Sequence, residues 1–194
     1  TRYSERDQEL LQFVSTQVAT AIERQQMLSH LQFMAQYDQL TQLPNRALLR
    51  DRLHTALARA RREQSQVALL FLDLDKFKQV NDTLGHAAGD QLLQGVAQRI
   101  QLCLREVDTV ARFAGDEFVV LLEDFHSADH ASVVAEKIRQ SLNQPFELCE
   151  RSQTILLSIG IALYPQHAQD EQQLLQHADN AMYRAKQKGG NRAH

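Results

Sequence analysis

The sequence predicts an α+β fold of the ferredoxin-like type: a central, mainly antiparallel sheet flanked by helices, with a long N-terminal helix ahead of it. Three observations carry that reading. Residues 67–72 (VALLFL) form a short, wholly apolar run of the kind found in a strand buried on both faces. Residues 109–113 and 117–122 are β-rich runs around the turn Ala114-Gly115-Asp116, which reads as a hairpin. Helical periodicities fill the intervals, so the order is strand, helices, hairpin, helix, strand, helix. Such a fold fixes no function by itself.

Each element has its own justification. Residues 4–36 lack Gly and Pro and open with Ser4-Glu5-Arg6-Asp7, a serine followed three places later by an acid, which is a helix-capping pattern. One long helix is expected there. Leu11, Val14, Val18, Ala21 and Leu28 recur at three- and four-residue steps, with Gln25 and Gln32 filling the same seam. That seam fits a two-helix coiled coil with polar interruptions, and it equally fits a face that packs on an upstream domain. Residues 37–46 (YDQLTQLPNR) break the pattern, since Pro44 suits a turn or the first position of a new helix. The boundary divides the chain into a helical segment, residues 1–36, and a globular domain, residues 37–194.

Leu49, Leu53, Ala56, Leu57 and Ala60 give a helix over residues 47–62. The apolar strand that follows is expected to end at Asp73. A polar turn region over residues 73–90 leads into a helix whose face is Leu92, Leu93, Val96, Ile100 and Leu104. After the hairpin, residues 128–142 read as helix and residues 154–162 as strand. Residues 170–188 read as a last helix with Leu174, Leu175, Ala178, Ala181 and Met182 inward.

Composition narrows the function classes. A chain of 194 residues supports one domain with a modest extension and excludes a second large catalytic domain. With 24 acidic against 21 basic residues the net charge is -3, so no broad basic face draws the protein to nucleic acid. Cys103 and Cys149 form no C-x-x-C pair, which points to a reducing cytosol. No apolar run is long enough to span a bilayer and no secretory leader opens the chain, so a cytoplasmic location is expected, with any membrane attachment in parts outside this sequence. The opening Thr1-Arg2-Tyr3 points to a piece of something longer. The eight histidines are dispersed without an H-E-x-x-H pattern, leaving zinc chemistry unsupported.

Two acidic pairs stand where chemistry can sit. Asp73 and Asp75 follow the buried strand, and Asp116 and Glu117 occupy the hairpin tip, so both pairs lie at strand ends that a ferredoxin-like sheet can make neighbours. Carboxylates brought together repel unless a cation sits between them, and such oxygen ligands suit Mg²⁺ bound along with substrate phosphates. Phosphoryl or nucleotidyl transfer is the natural chemistry. Taken singly, Asp73 and Asp75 would cap a helix near Lys76 and Asp116 would only make a turn.

The run Asp73-Leu74-Asp75-Lys76-Phe77-Lys78-Gln79-Val80-Asn81-Asp82, then Gly85-His86-Ala87-Ala88-Gly89-Asp90, then Ala114-Gly115-Asp116-Glu117-Phe118, resembles the GGDEF family of diguanylate cyclases. The opening DQLTQLPNR of residues 38–46 and the closing AMYRAK of residues 181–186 are similar to that family's ends. The resemblance covers residues 37–192 and implies a nucleotidyl-cyclase, palm-like version of the fold. It implies condensation of two GTP into cyclic di-GMP with release of two pyrophosphates by a homodimer, each protomer holding one GTP. By motif position, Asp73, the Leu74 carbonyl and Asp116 would hold Mg²⁺, with Mn²⁺ as a substitute. Asp116 and Glu117 would activate the attacking hydroxyl, and Lys78 would stabilise the transition state. Lys186 would bind phosphate. Asn81 and Asp90, with His86 beside them, would read guanine, whose N1–H and 2-amino group suit a carboxylate acceptor that adenine cannot satisfy.

Arg105-Glu106-Val107-Asp108 has the R-x-x-D form at the distance from Ala114 where the family places an inhibitory product site. A plain i,i+3 ion pair is its simpler reading. Two departures stand out. Ala114 replaces the first signature glycine, which costs on the order of 1 kcal/mol if its φ is positive and little otherwise. Gly190 stands where the family commonly has a phosphate-binding arginine, with Arg192 two places on. These departures support an alternative reading, a catalytically weak or silent GTP- or cyclic di-GMP-binding regulatory domain. The Gly189-Gly190-Asn191-Arg192 ending resembles members that continue into a phosphodiesterase domain, and the leading helix implies an upstream sensor domain.

Overall fold

In the computed structural model, residues 5–125, 127 and 129–193 are described. Strand β1 (Gln66–Asp75) is the axis of the globular unit: its inner eight residues are buried, and antiparallel partners flank it on both sides. Those partners are β3 (Glu117–Phe125), reached through the hairpin from β2 (Thr109–Ala114), and β6 (Leu156–Tyr164). With the short β7 (Arg192–Ala193) the sheet runs β2-β3-β1-β6-β7, antiparallel throughout except for β6 and β7. The mainly antiparallel sheet expected from the sequence is thus present. β1 continues past Leu72, however, and carries Asp73, Leu74 and Asp75 inside the ladder. Both neighbours remain paired that far, Glu117 opposite Asp73 and Leu156 opposite Asp75.

Helices cover both faces. α2 (Arg46–Glu63) and α6 (Glu171–Gln187) pack on Val67, Leu69, Phe71, Val119 and Leu121. α3 (Phe77–Leu84), α4 (His86–Cys103) and α5 (Asp129–Leu142) lie on the face of Leu70, Leu72, Leu74, Phe118 and Leu122. This alternation along β1 is the period-two pattern of a strand, hidden in the sequence because both faces are apolar. Asn45 caps α2 by accepting from the Ala47 and Leu48 amides, so Pro44 belongs to the turn before the helix. Asp170 caps α6 in the same way through the Gln173 amide.

Several elements differ from expectation. The polar region of residues 73–90 contains α3 and the first turn of α4. Only Val80 of α3 is buried, so the helix has too small an apolar face to be read from periodicity. A two-stranded ribbon, β4 (Phe146–Leu148) and β5 (Arg151–Gln153), turns through Cys149 and Glu150, both at positive φ without any glycine to mark them. Leu104 ends α4 as its C-cap, and on α6 the buried set is Leu174, Ala178, Met182 and Ala185, with Leu175 and Ala181 only half-buried.

The chain divides into two compact units, residues 1–36 and 37–194. The first is a single helix, α1 (Glu5–Gln36), along which Leu11, Val14, Val18 and Leu28 are exposed. The Ser4 cap expected for it, and Ala128 before α5, lie outside the described residues. Among the described residues no helix is long and apolar enough to cross a membrane.

Candidate active site

The site forms where three strands end together. Asp73 and Glu117 face each other across the β1–β3 ladder, and the Leu74 amide donates to the Asp116 carbonyl at 3.4 Å. A bulge between Arg112 and Ala114, followed by Gly115 at φ +46, closes the hairpin and sets Asp116 beside the end of β1. The two acidic pairs of the sequence therefore meet. Asp73 is 8% exposed, and Lys186 of α6 places its Nζ 2.7 Å from the Asp73 Oδ1. Glu117 opens onto a cleft of about 850 Å³ floored by Phe71 and Phe113 and bordered by Asp179.

Crowding shows in the electrostatics. Burial pushes the Asp73 carboxyl above its ordinary value, with Asp116 and Asp75 adding to it, and Lys186 only partly offsets them. Burial likewise raises Glu117, followed by the charges of Asp73, Asp179 and Asp116. Burial opposes the Lys186 ammonium, yet Asp73 outweighs it and lifts that pKa as well. The cluster is short of positive charge, and one ammonium already sits in it. The oxygens here that could take a small divalent ion are those of Asp73, Asp116 and the Leu74 carbonyl. Among the described residues no three His, Cys, Asp or Glu side chains are grouped so as to hold a metal ion by themselves.

Asp75 points to the same face but does other work. Its carboxylate accepts from the Ser158 hydroxyl at 2.9 and 3.1 Å and from the Asn191 amide at 3.1 Å, anchoring the end of the chain. It does not cap α3, whose N-cap is Lys76 at φ +64.

On the opposite face, the packing of α3 on α4 sets the Asn81 side chain against Gly89, the chain neighbour of Asp90. Gly89 makes this possible, since a Cβ there would fall on the Asn81 side-chain oxygen. Asn81 is half-buried, and His86 and Asp90 are exposed on the first turns of α4. Lys78 is exposed on α3 and forms no ion pair among the described residues.

Arg105 and Asp108 lie elsewhere, in the turn after α4. Asp108 is buried and receives Arg105 through Nε at 3.2 Å and Nη2 at 3.0 Å, while Nη2 also donates to the Glu123 carbonyl at 2.8 Å. Glu123 is six residues along β3 from Glu117, about 20 Å at strand rise. The i,i+3 ion pair is present and the motif is remote from the carboxylates. Of the two departures, Ala114 has no positive φ, so its methyl carries no backbone strain, whereas Gly190 lies at φ +67.

The sequence reading missed one element of the site. Arg112 ties the turn at Asp38 to the Gly115 carbonyl, and residues 74 positions apart gave no local signal of that pairing.

The sequence profile of the diguanylate cyclase GGDEF domain matches residues 35–192. MucR of Pseudomonas aeruginosa, named a bifunctional diguanylate cyclase/cyclic di-GMP phosphodiesterase, is 49% identical over 158 residues, 81% of this chain and 23% of MucR. A solved structure of P. aeruginosa TpbB (also YfiN) comprising only its GGDEF domain superposes with a TM-score of 0.79 at 47% identity, covering 81% of this chain and 92% of that one. The coiled coil and GGDEF domain of DgcB from Caulobacter crescentus, in complex with c-di-GMP, gives a TM-score of 0.84 at 28% identity, covering 95% of this chain and 97% of that one. The chain spans 23% of MucR and 36% of the full TpbB, well under two thirds of either. With the profile match running through nearly the whole globular unit, this chain belongs to the GGDEF-domain family of diguanylate cyclases.

Proposed function

We propose that the chain condenses two GTP molecules into cyclic di-GMP and two pyrophosphates, working as a homodimer in the cytoplasm. The observation that carries this reading is the cross-strand pair of Asp73 and Glu117, with the Leu74 amide bonded to the Asp116 main-chain carbonyl beside it. In each half-reaction the 3′-oxygen of one nucleotide bonds to the α-phosphorus of the other and the bond from that phosphorus to the pyrophosphate oxygen breaks. The hydroxyl proton passes to Asp116 or Glu117, and pyrophosphate leaves. Repetition in the other sense closes the ring.

The residues divide the labour. Asp73, Asp116 and the Leu74 carbonyl hold a divalent ion, which when bound supplies positive charge against the phosphate oxygens. Burial and neighbouring charge raise Glu117, which favours its taking a proton. Lys186 and Lys78 are the cations for the phosphates, and Asn81, Asp90 and His86 frame the guanine. GTP is preferred because adenine would leave Asp90 desolvated and unpaired. One protomer carries one such half-site, so two must face each other. α1, with Leu11, Val14, Val18 and Leu28 exposed, brings two copies together, a role supported by the coiled coil in the DgcB structure. Arg105 and Asp108 bind product and restrain the reaction, and an upstream sensor and a downstream phosphodiesterase domain are the companions in a longer protein.

One observation favours a second reading, a regulatory module that binds GTP or cyclic di-GMP without turnover: Gly190 brings no cation to the phosphates. Incubation with GTP and Mg²⁺ at increasing protein concentration decides between them. Cyclic di-GMP formed with a specific activity that rises as the chain associates, and lost in Asp116→Ala, supports the cyclase. GTP binding by calorimetry without product at any concentration selects the module.

A further inference from the structure

Among the described residues, the cation in contact with Asp73 is Lys186, whose ammonium is committed to that carboxylate, while Arg46 and Arg50 line the cleft onto which Glu117 opens. The end of the chain delivers another cation on the Asp75 side. Gly189 and Gly190 both take positive φ, +106 and +67, and their amides bond back to Lys186 and Ala185 at 3.2 and 3.1 Å. The chain thus turns sharply off α6 and is caught by Asp75, which accepts the Asn191 amide. The Asn191 side-chain oxygen accepts from Arg139 of α5 at 3.3 Å, on one face of the sheet. Asn191 itself takes φ +49 and precedes β7, so the side of the sheet on which Arg192 lies is set by its pairing with β6.

That register places Arg192 beside the site. Ser158 of β6 pairs with Asp73 on one side and with Arg192 on the other, so the three form a row across the sheet. The outer two Cα atoms are two strand spacings apart, about 10 Å, a gap that an arginine and a phosphate together bridge. Arg192 is exposed, its Nε reaches only the Gly190 carbonyl at 3.4 Å, and it forms no ion pair among the described residues.

We propose that Arg192 is a further phosphate-binding cation of this site beside Lys186 and Lys78, gripping the terminal phosphates of the nucleotide whose α-phosphate lies at Asp73, and that Asp75 is its positioning residue. A guanidinium matches two phosphate oxygens at once, which an ammonium cannot. Gly190 has no side chain to take this part, and a Cβ there would come 2.5 Å from Asp75 Oδ2, disturbing the anchor. The double-glycine turn moves the arginine two places along the chain. Arg192 has this part only if the carboxylates serve a nucleotide as proposed above, so the test reads binding separately from turnover.

Calorimetry with Mg²⁺ compares α,β-methylene-GTP, inorganic pyrophosphate and GMP on the wild-type chain, Arg192→Ala, Arg192→Lys, Asp75→Asn and the α6 surface variant Arg184→Ala, with a melting curve for each. Arg192→Ala is expected to weaken the triphosphate analogue and pyrophosphate about tenfold or more and to leave GMP within twofold. Arg192→Lys loses less, Asp75→Asn loses in the same pattern, and Arg184→Ala is unchanged. If Arg192→Ala unfolds, Arg192→Lys carries the comparison, because charge without the fork still separates pyrophosphate from GMP. Affinity for the analogue within twofold of wild type in a folded Arg192 variant, or equal losses for GMP, overturns the proposal, as does a wild-type chain that binds none of the three. Should the wild type bind the analogue yet form no cyclic di-GMP from GTP, the cyclase reading fails while these affinities still decide the part played by Arg192.

Discussion

Arg112 and Asp38 form a forked ion pair, Nη1 lying 3.1 and 3.2 Å from the two carboxylate oxygens, while the Nε of the same guanidinium donates to the Gly115 carbonyl at 2.9 Å. One side chain thus fastens the turn that opens the domain to the turn that presents Asp116 and Glu117. Asp38 also caps its own turn, accepting from the Thr41 amide at 2.9 Å and hydroxyl at 2.7 Å.

Removing either partner leaves a half-buried charge alone. Arg112→Ala and Asp38→Ala are expected to cost about 2–3 kcal/mol by denaturant titration and to lower cyclase activity through a looser hairpin tip. Arg112→Lys recovers little, since an ammonium cannot serve Asp38 and Gly115 from one plane.

The same pair gives a pH dependence. Burial works to raise Asp38, but the bonds from Thr41 and Arg112 outweigh it and its pKa lies below the ordinary carboxylate value. A depressed carboxyl stabilises the fold above its unfolded pKa, about 3.9, and loses that contribution as pH falls through the folded value. Between about pH 5 and pH 2 the wild-type chain should therefore lose stability more steeply than Asp38→Asn, read from melting temperatures across that window. Parallel curves would remove Asp38 from the account.

Gly89 supplies a separate test on the nucleobase side. Gly89→Ala drives a methyl onto the Asn81 side-chain oxygen, so either Asn81 swings away or α3 shifts from α4. The expected result is a loss of about 1–3 kcal/mol in stability and a KM for GTP raised more than kcat falls. Steady-state kinetics with a melting curve checks both. An unchanged KM would mean that Asn81 does not frame the base.

How much of this could be read beforehand depended on range. VALLFL marked the central strand because a strand buried on both faces needs nothing but apolar side chains. The hairpin declared itself through Gly115, and the meeting of Asp73 with Glu117 followed once both ends were placed in one sheet. α3 showed only as the alternative of a helix near Lys76, because a single buried residue, Val80, gives no periodicity. The anchor from Asp75 to Ser158 and Asn191 was hidden for another reason: its members lie 83 and 116 positions from Asp75 and meet only after β6 and the chain end are docked. Cys149 and Glu150 show the limit of turn chemistry, since two left-handed residues without glycine or asparagine leave no mark in the sequence.

Glu117 and Asp73 set function against stability. Burial and neighbouring carboxylates raise Glu117, and a raised carboxyl withdraws stability as pH climbs from its unfolded value through its folded one. In metal-free buffer near neutral pH, Glu117→Gln is expected to melt a few degrees above wild type while forming little or no cyclic di-GMP. Adding Mg²⁺ should raise the melting temperature of wild type and narrow that gap, and chelation should abolish product formation reversibly. A Glu117→Gln protein that melts below wild type in metal-free buffer would show that its carboxylate is satisfied by partners, contrary to the crowding.

Arg105 is held by a buried acid, and that arrangement fixes what its removal does. Asp108 is 1% exposed and Arg105 46% exposed on their side chains, so the carboxylate depends on the arginine far more than the reverse. Arg105→Ala is expected to cost about 1–3 kcal/mol by denaturant titration, since Asp108 is left buried with only the Arg105 and Glu123 amides as partners. Because the guanidinium stands about 20 Å from the carboxylates, turnover at low product should stay near wild type while inhibition by added cyclic di-GMP disappears. Asp108→Asn keeps the shape, frees the fork, and should retain inhibition in part. Initial rates against added cyclic di-GMP read all three chains, and an Arg105→Ala protein inhibited as strongly as wild type would assign the R-x-x-D turn to stability alone.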